Sequence, residues 1–210
     1  AIRTDVVMID ETTMISVGYK GTHYSYRAVD KTTDGGVTFI PQTQPDSAET
    51  RPLTKVDFVG ADTGWAVGYD GMVEKTTDGG ITWTQQTLGN TPHLWDVDFV
   101  DENTGWAVGK DGVIINSSDG GATWVTQNSP TTERLLDVAT VDINTAVAVG
   151  ENGTIVRTSD SGTTWAIQES GTTAWLSGVD FVDDSYYSCQ QPCSYGLAGW
   201  VVGENGLILK

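Results

Sequence analysis

Three short motifs recur along this chain in fixed order and at nearly constant spacing, and no other feature constrains the fold as strongly. The first is an eight-residue pattern: Thr32-Thr-Asp-Gly-Gly-Val-Thr-Phe39, Thr76-Thr-Asp-Gly-Gly-Ile-Thr-Trp83, Ser117-Ser-Asp-Gly-Gly-Ala-Thr-Trp124 and Thr158-Ser-Asp-Ser-Gly-Thr-Thr-Trp165. Its aspartates, Asp34, Asp78, Asp119 and Asp160, stand 44, 41 and 41 residues apart. The second is Val56-Asp-Phe-Val59, with Val97-Asp-Phe-Val100, the degenerate Val138-Ala-Thr-Val141, and Val179-Asp-Phe-Val182. The third is Gly64-Trp-Ala-Val-Gly68, with Gly105-Trp-Ala-Val-Gly109, Ala146-Val-Ala-Val-Gly150 and Gly199-Trp-Val-Val-Gly203. Val6-Val-Met-Ile9 fills the second slot in a more divergent first unit. Five units result, about 1–50, 51–91, 92–132, 133–173 and 174–210.

Within a unit every segment reads as β. Leu94 to Val100 alternates and is rich in β-branched and aromatic residues, and Gly105 to Gly109 is a short apolar run. Asp70-Gly71, Asp111-Gly112, Asn152-Gly153 and Asn205-Gly206 are two-residue hairpin turns, whose residues must both take positive φ. Sustained helical periodicity is missing throughout. Four short antiparallel strands repeated every forty or so residues predict an all-β chain, a β-propeller with one sheet per unit. The fifth unit reaches Leu207-Ile-Leu-Lys210 without an Asp-containing turn or fourth strand, so the last blade reads as incomplete and a longer parent polypeptide is expected.

The Ser/Thr-x-Asp-x-Gly-x-Thr-Trp pattern is similar to the Asp-box, or BNR-like, repeat. Thr-Gly-Trp-Ala-Val-Gly-x-Asp-Gly followed by that box resembles the photosystem II assembly and stability factor family, which implies a β-propeller. The likeness extends over nearly the whole chain. It implies a fold and carries over no functional residue.

The repeated residues read as structural. An aspartate needed once for chemistry would not recur at equivalent sites. Asp34, Asp78, Asp119 and Asp160 are expected to accept backbone hydrogen bonds within their own turns. Trp65, Trp106, Trp200 and the Asp-box tryptophans are expected to fill the core between blades. Asp57, Asp98 and Asp180 share one position on the innermost strand, where they either cap neighbouring strands or offer carboxylates to a cation or to acid–base chemistry. Ala139 and Val7 interrupt that ring. His23 and His93 are isolated, and no metal, cofactor or catalytic set is expected.

Selectivity should lie where the repeat is broken. Linkers between blades share a face with the loops joining second and third strands. That face gathers Tyr24, Tyr26 and Arg27 of a lengthened hairpin, Arg51 of a long linker, and Trp95, Arg134 and Trp175. These are the candidate recognition patch, since aromatic and arginine side chains favour interface hot spots. On the opposite face the fifth unit carries an insertion in which Cys189 and Cys193 are expected to form a small disulfide.

With 28 acidic against 11 basic side chains the net charge is −17, which argues against nucleic-acid or anionic-membrane binding. No apolar run is long enough to span a membrane as a helix. The favoured reading is a non-catalytic scaffold that binds a protein or glycan partner, with self-association through an open blade edge as a further possibility. A sialidase- or xyloglucanase-like glycan-processing enzyme is the alternative, and a photosystem II assembly factor a further one. Acidity, Gly and Trp richness and the expected disulfide point to an extracellular or cell-surface location.

Overall fold

The computed structural model describes residues 2–21, 26–42, 51–86, 88, 91–183 and 197–210. Among them the chain forms five antiparallel sheets, four of four strands and the last of three. In chain order the first comprises β1 (Ile2–Met8), β2 (Met14–Lys20), β3 (Tyr26–Thr32) and β4 (Ile40–Pro41). The second comprises β5 (Leu53–Val59), β6 (Thr63–Gly68), β7 (Val73–Thr76) and β8 (Thr84–Gln86). The third comprises β9 (Leu94–Phe99), β10 (Gly105–Gly109), β11 (Ile114–Ser117) and β12 (Val125–Thr126). The fourth comprises β13 (Leu135–Thr140), β14 (Ala146–Gly150), β15 (Ile155–Thr158) and β16 (Ala166–Gln168). The fifth comprises β17 (Leu176–Asp183), β18 (Leu197–Gly203) and β19 (Ile208–Leu209).

Each sheet is a simple meander, and the innermost strands pack in series: β1 on β5, β5 on β9, β9 on β13 and β13 on β17. This is an arc of propeller blades around an axial channel. Among the described residues no such packing joins β17 to β1. Asp70 and Gly71, Asp111 and Gly112, Asn152 and Gly153, and Asn205 and Gly206 all take positive φ, as two-residue hairpins require. The glycine closing each second strand answers a different need. A Cβ on Gly109 would lie 2.0 Å from the His93 carbonyl oxygen, because the innermost strand enters across it.

The core lies between sheets, not within them. Trp65, Val67 and Val73 meet Leu94, Val97, Phe99, Ala107 and Ile115 of the next blade. Trp106, Val108 and Ile114 meet Leu135, Val138, Ala148, Val156 and Trp165. Trp65 stacks on Phe99 with ring centroids 3.5 Å apart and reaches across to donate to the Gly120 carbonyl at 3.0 Å. Lys31 and Lys75 bridge the same gaps, donating to Gly79 and Gly120 carbonyls at 2.7 Å. One core expectation differs: Trp200 is exposed, because among the described residues no sheet packs over its face.

The Asp-boxes form four copies of one hydrogen-bonded turn. In the second blade Asp78 accepts from the Thr82 amide at 2.9 Å, the Thr82 hydroxyl at 2.6 Å and the Thr76 hydroxyl at 2.8 Å. Thr76 in turn accepts from the Gly80 amide at 2.9 Å. The hydroxyl and amide of Thr38 hold Asp34 down at about pKa 2. Asp119 and Asp160 are lowered by the corresponding bonds from Thr123 and Thr164.

Candidate functional site: the channel and its mouth

Every innermost strand carries a one-residue β-bulge near its start, at Thr4, Thr54, Trp95, Leu136 and Ser177. A bulge re-aims the extra residue out of the ladder. These five side chains, with Tyr19, Pro52, Leu53 and Tyr69, line a cavity of about 400 Å³ at the channel mouth on the linker face. In the first two blades the bulge residue is a clamp. The Thr4 hydroxyl reaches the Val17 and Leu53 carbonyls at 3.2 and 2.8 Å, and the Thr54 hydroxyl reaches Val67 and Leu94 at 3.0 and 2.8 Å. Trp95 and Leu136 cannot make that clamp and give the cavity its apolar wall.

Around Trp95 the non-repeating residues form a contiguous group. Tyr69 packs edge-on at 5.5 Å, and the Arg134 guanidinium lies over the indole at 5.5 Å while pairing with Glu151 at 3.1 Å. His93 stacks on Tyr69 at 4.5 Å and accepts the Asp70 amide through Nδ1 at 2.8 Å. Arg51 donates to the Asp70 carbonyl at 3.3 Å. Arg51, Trp95 and Arg134 of the expected patch are therefore brought together.

Arg27 is not part of that surface. It is buried between the first two blades, 2.9 Å from the fully buried Glu74, because its strand turns it toward the neighbouring sheet. Trp175 is exposed but does not line the cavity. Tyr24, Cys189 and Cys193 lie outside the described residues, and of Tyr26 only its backbone pairing with Lys20 is described. Tyr69, His93 and Leu136 were missed. Reading down the repeat would have found two of them, since Tyr69 stands where other units have Lys110, Glu151 and Glu204, and His93 stands level with Arg134 and Trp175.

Below the mouth, a narrower space of about 160 Å³ is lined by Lys55, Asp57, Asp96, Asp98, Asp137 and Asp180, among others. Most of these carboxylates reach sideways into the next blade. Asp5 accepts the Val56 amide at 3.1 Å, Asp57 that of Phe99 at 2.9 Å, Asp96 that of Val138 at 2.7 Å and Asp137 that of Val179 at 2.7 Å. Asp98 takes both the amide and the hydroxyl of Thr140 at 2.6 Å. Burial, reinforced by Asp98, pushes Asp57 up to about 6. Burial raises Asp98 too, and burial beside Asp137 raises Asp96 well above the usual carboxylate range. Lys55 occupies the position that is aspartate in the first, third and fourth blades and lies 3.5 and 3.6 Å from Asp96 and Asp137. Burial works against its charge, but Asp96, Asp137 and Asp5 outweigh it and hold its pKa above the usual lysine value. Among the described residues no group of three or more His, Cys, Asp or Glu side chains is arranged to hold a metal.

An arc of Asp-box blades with a walled mouth and a carboxylate-lined channel defines the chain as a BNR-like β-propeller, and it resembles the photosystem II assembly factor. The family model described as photosynthesis system II assembly factor YCF48 matches residues 81–134. Two solved structures are similar over nearly the whole chain. YCF48 bound to D1 peptide gives a TM-score of 0.70 at 22% identity, covering 98% of this chain and 61% of that one. YCF48 from Cyanidioschyzon merolae gives 0.68 at 19%, covering 99% and 66%. The chain spans less than two thirds of the length of either. A GH74 enzyme from Niastella koreensis gives 0.62 at 15%, covering 95% and 36%. At these identities the likeness is one of fold. No curated protein matches the chain by sequence.

These findings correct the extracellular or cell-surface placement: the matching family and both YCF48 structures are of a photosystem II assembly factor, not of a secreted or surface protein. The acidity behind that placement has a use inside the fold, where aspartates close the turns and join the blades.

Proposed function

We propose that this chain is a non-catalytic, protein-binding propeller of the photosystem II assembly-factor kind, which receives a peptide segment at the channel mouth on its linker face. The observation carrying this reading is the apolar cavity built by Trp95, Leu136 and Tyr69 where the bulge repeat is broken. It is supported by the likeness to a solved YCF48 that was bound to D1 peptide. A concave apolar wall with an arginine stacked on its indole suits an inserted side chain flanked by polar backbone. The glycan-processing alternative rests on fold likeness to GH74 enzymes alone. The channel aspartates Asp57, Asp96, Asp98 and Asp137 are each engaged by the neighbouring strand.

A photo-crosslinkable synthetic D1 peptide tests the reading. Crosslinks are expected within residues 51–54, 69–70, 93–95 and 134–136. Crosslinks confined to the Asp-box face, or none at all, would contradict it.

A further inference from the structure

We infer that His93 is a positioning residue whose protonation state sets the shape of the mouth, so that capture of a peptide there weakens as pH falls. The consequence for the peptide rests on the function proposed above; the switch itself does not.

The switch is built from one histidine and one hairpin tip. His93 Nδ1 lies 2.8 Å from the Asp70 amide nitrogen and 3.2 Å from an Asp70 carboxylate oxygen. A backbone N–H can only donate, so Nδ1 accepts and the imidazole carries its proton on Nε2. In that form Nδ1 makes no hydrogen bond with the carboxylate, since both are acceptors. A second proton reverses the preference. It takes Nδ1, ends the bond from the amide and offers the Asp70 carboxylate a charge-assisted donor. The two arrangements exclude each other, because one ring nitrogen serves both. Imidazole is the side chain that changes charge between about pH 5 and 8.

The tip is placed to pass the change on. Asp70 sits at φ 52° and ψ 41°, a left-handed conformation that costs a residue other than glycine, and the bond to its amide helps to hold it there. Tyr69 precedes it, stacks on the imidazole at 4.5 Å and meets Trp95 edge-on at 5.5 Å. Both of these rings line the mouth, and the imidazole stands edge-on to Trp95 at 6.2 Å. Among the described residues no side chain accepts the corresponding amides of Asp111, Asn152 and Asn205, and the positions level with His93 hold Pro52, Arg134 and Trp175. The link is therefore particular to the second and third blades, where the apolar wall stands.

The charges around the ring are few. Asp70 favours the imidazolium. Arg51, which donates to the Asp70 carbonyl at 3.3 Å, opposes it. Arg134 lies beyond Trp95 and is paired with Glu151. Lys110 donates its amide to the His93 carbonyl and turns its ammonium toward Asp111 at 3.9 Å. Among the described residues, the carboxylate that the charged ring can reach is the one on the tip that the neutral ring holds.

Heteronuclear NMR of the chain alone, with peptide affinity measured at about pH 8 and about pH 5, tests the inference. The chain alone is expected to carry the His93 proton on Nε2 at the higher pH. Its Asp70 amide and Tyr69 ring should shift in step with the imidazole as the ring charges. A synthetic D1 peptide is expected to bind about fivefold or more weakly at the lower pH. His93→Asn, whose side-chain oxygen can accept from Asp70 but gains no proton, should bind equally at both. Asp57, raised to about 6 in the channel below, titrates in the same range but would act on both proteins alike. A proton on Nδ1 at the higher pH, or an Asp70 amide that ignores the imidazole, would overturn the switch. The same loss of affinity in wild type and His93→Asn would overturn its link to the peptide. If the wild-type chain binds no peptide at either pH, the peptide reading fails, while the Asp70 titration still supports or overturns the switch.

Discussion

The molecule uses aspartate in two regions with opposite electrostatic results. At the Asp-box turns each carboxylate sits at the surface and collects donors from its own turn, and its pKa falls. In the channel Asp57, Asp96 and Asp98 reach into the next blade and are buried near other carboxylates, and their pKa values rise. Hydrogen bonding stabilises the charged form in the first region, while desolvation and like charge disfavour it in the second. The turns therefore stabilise single blades at neutral pH. The channel joins blades to one another and is strained by its own charge, which Lys55 partly offsets.

The largest effect should come from a carboxylate that belongs to neither class. Glu74 is buried like the channel aspartates but has its own cation, so Arg27→Met should destabilise by about 3–5 kcal/mol in urea unfolding. A change well under 1 kcal/mol would mean that burial without charge pairing is tolerable between blades. Asp78→Ala should cost about 2–3 kcal/mol, because charge-assisted bonds to Thr82 and Thr76 are lost together. Asp57→Asn should act in the opposite sense. The amide oxygen can still accept from Phe99, the charge is gone, and stability at pH 8 should rise by on the order of 1–3 kcal/mol. A loss there would break the distinction between the two regions.

The pH profile gives the smallest effect and checks both signs. Asp57 is raised in the folded state, so its contribution is fully present below about pH 4 and is lost as pH rises through about 6. Asp34 is depressed, so its contribution is present above about pH 4 and lost as pH falls toward 2. Melting temperature should rise from pH 8 to about 5 and fall in stronger acid. Asp57→Asn should flatten the first limb only, and Asp34→Asn the second only. The same flattening of both limbs by either variant would show that net charge alone sets the profile.

Periodicity made the blades legible because each is built by local pattern. Alternation fixed the strands, Asp-Gly and Asn-Gly the hairpins, and Ser/Thr-x-Asp the outer turns. The location of Trp95 and Arg134 on the linker face was legible too, since topology alone assigns loops to faces. What escaped were consequences of strand direction and register. Arg27 looked like a loop cation, but its place on β3 turns it into the interface with Glu74. The bulge that aims Trp95 and Leu136 into the mouth leaves no residue-type signal, because Thr, Trp, Leu and Ser all occupy it. Trp200 carries the same motif as Trp65 but is exposed, because among the described residues no sheet packs on its face.

The most direct test of the account is the affinity of a synthetic D1 peptide for the wild-type chain, for Trp95→Ala and for Ile81→Ser on the opposite face. The mouth reading predicts saturable binding that Trp95→Ala weakens roughly tenfold or more and Ile81→Ser leaves unchanged. Absence of binding by the wild-type chain, or equal affinity across all three proteins, would contradict it.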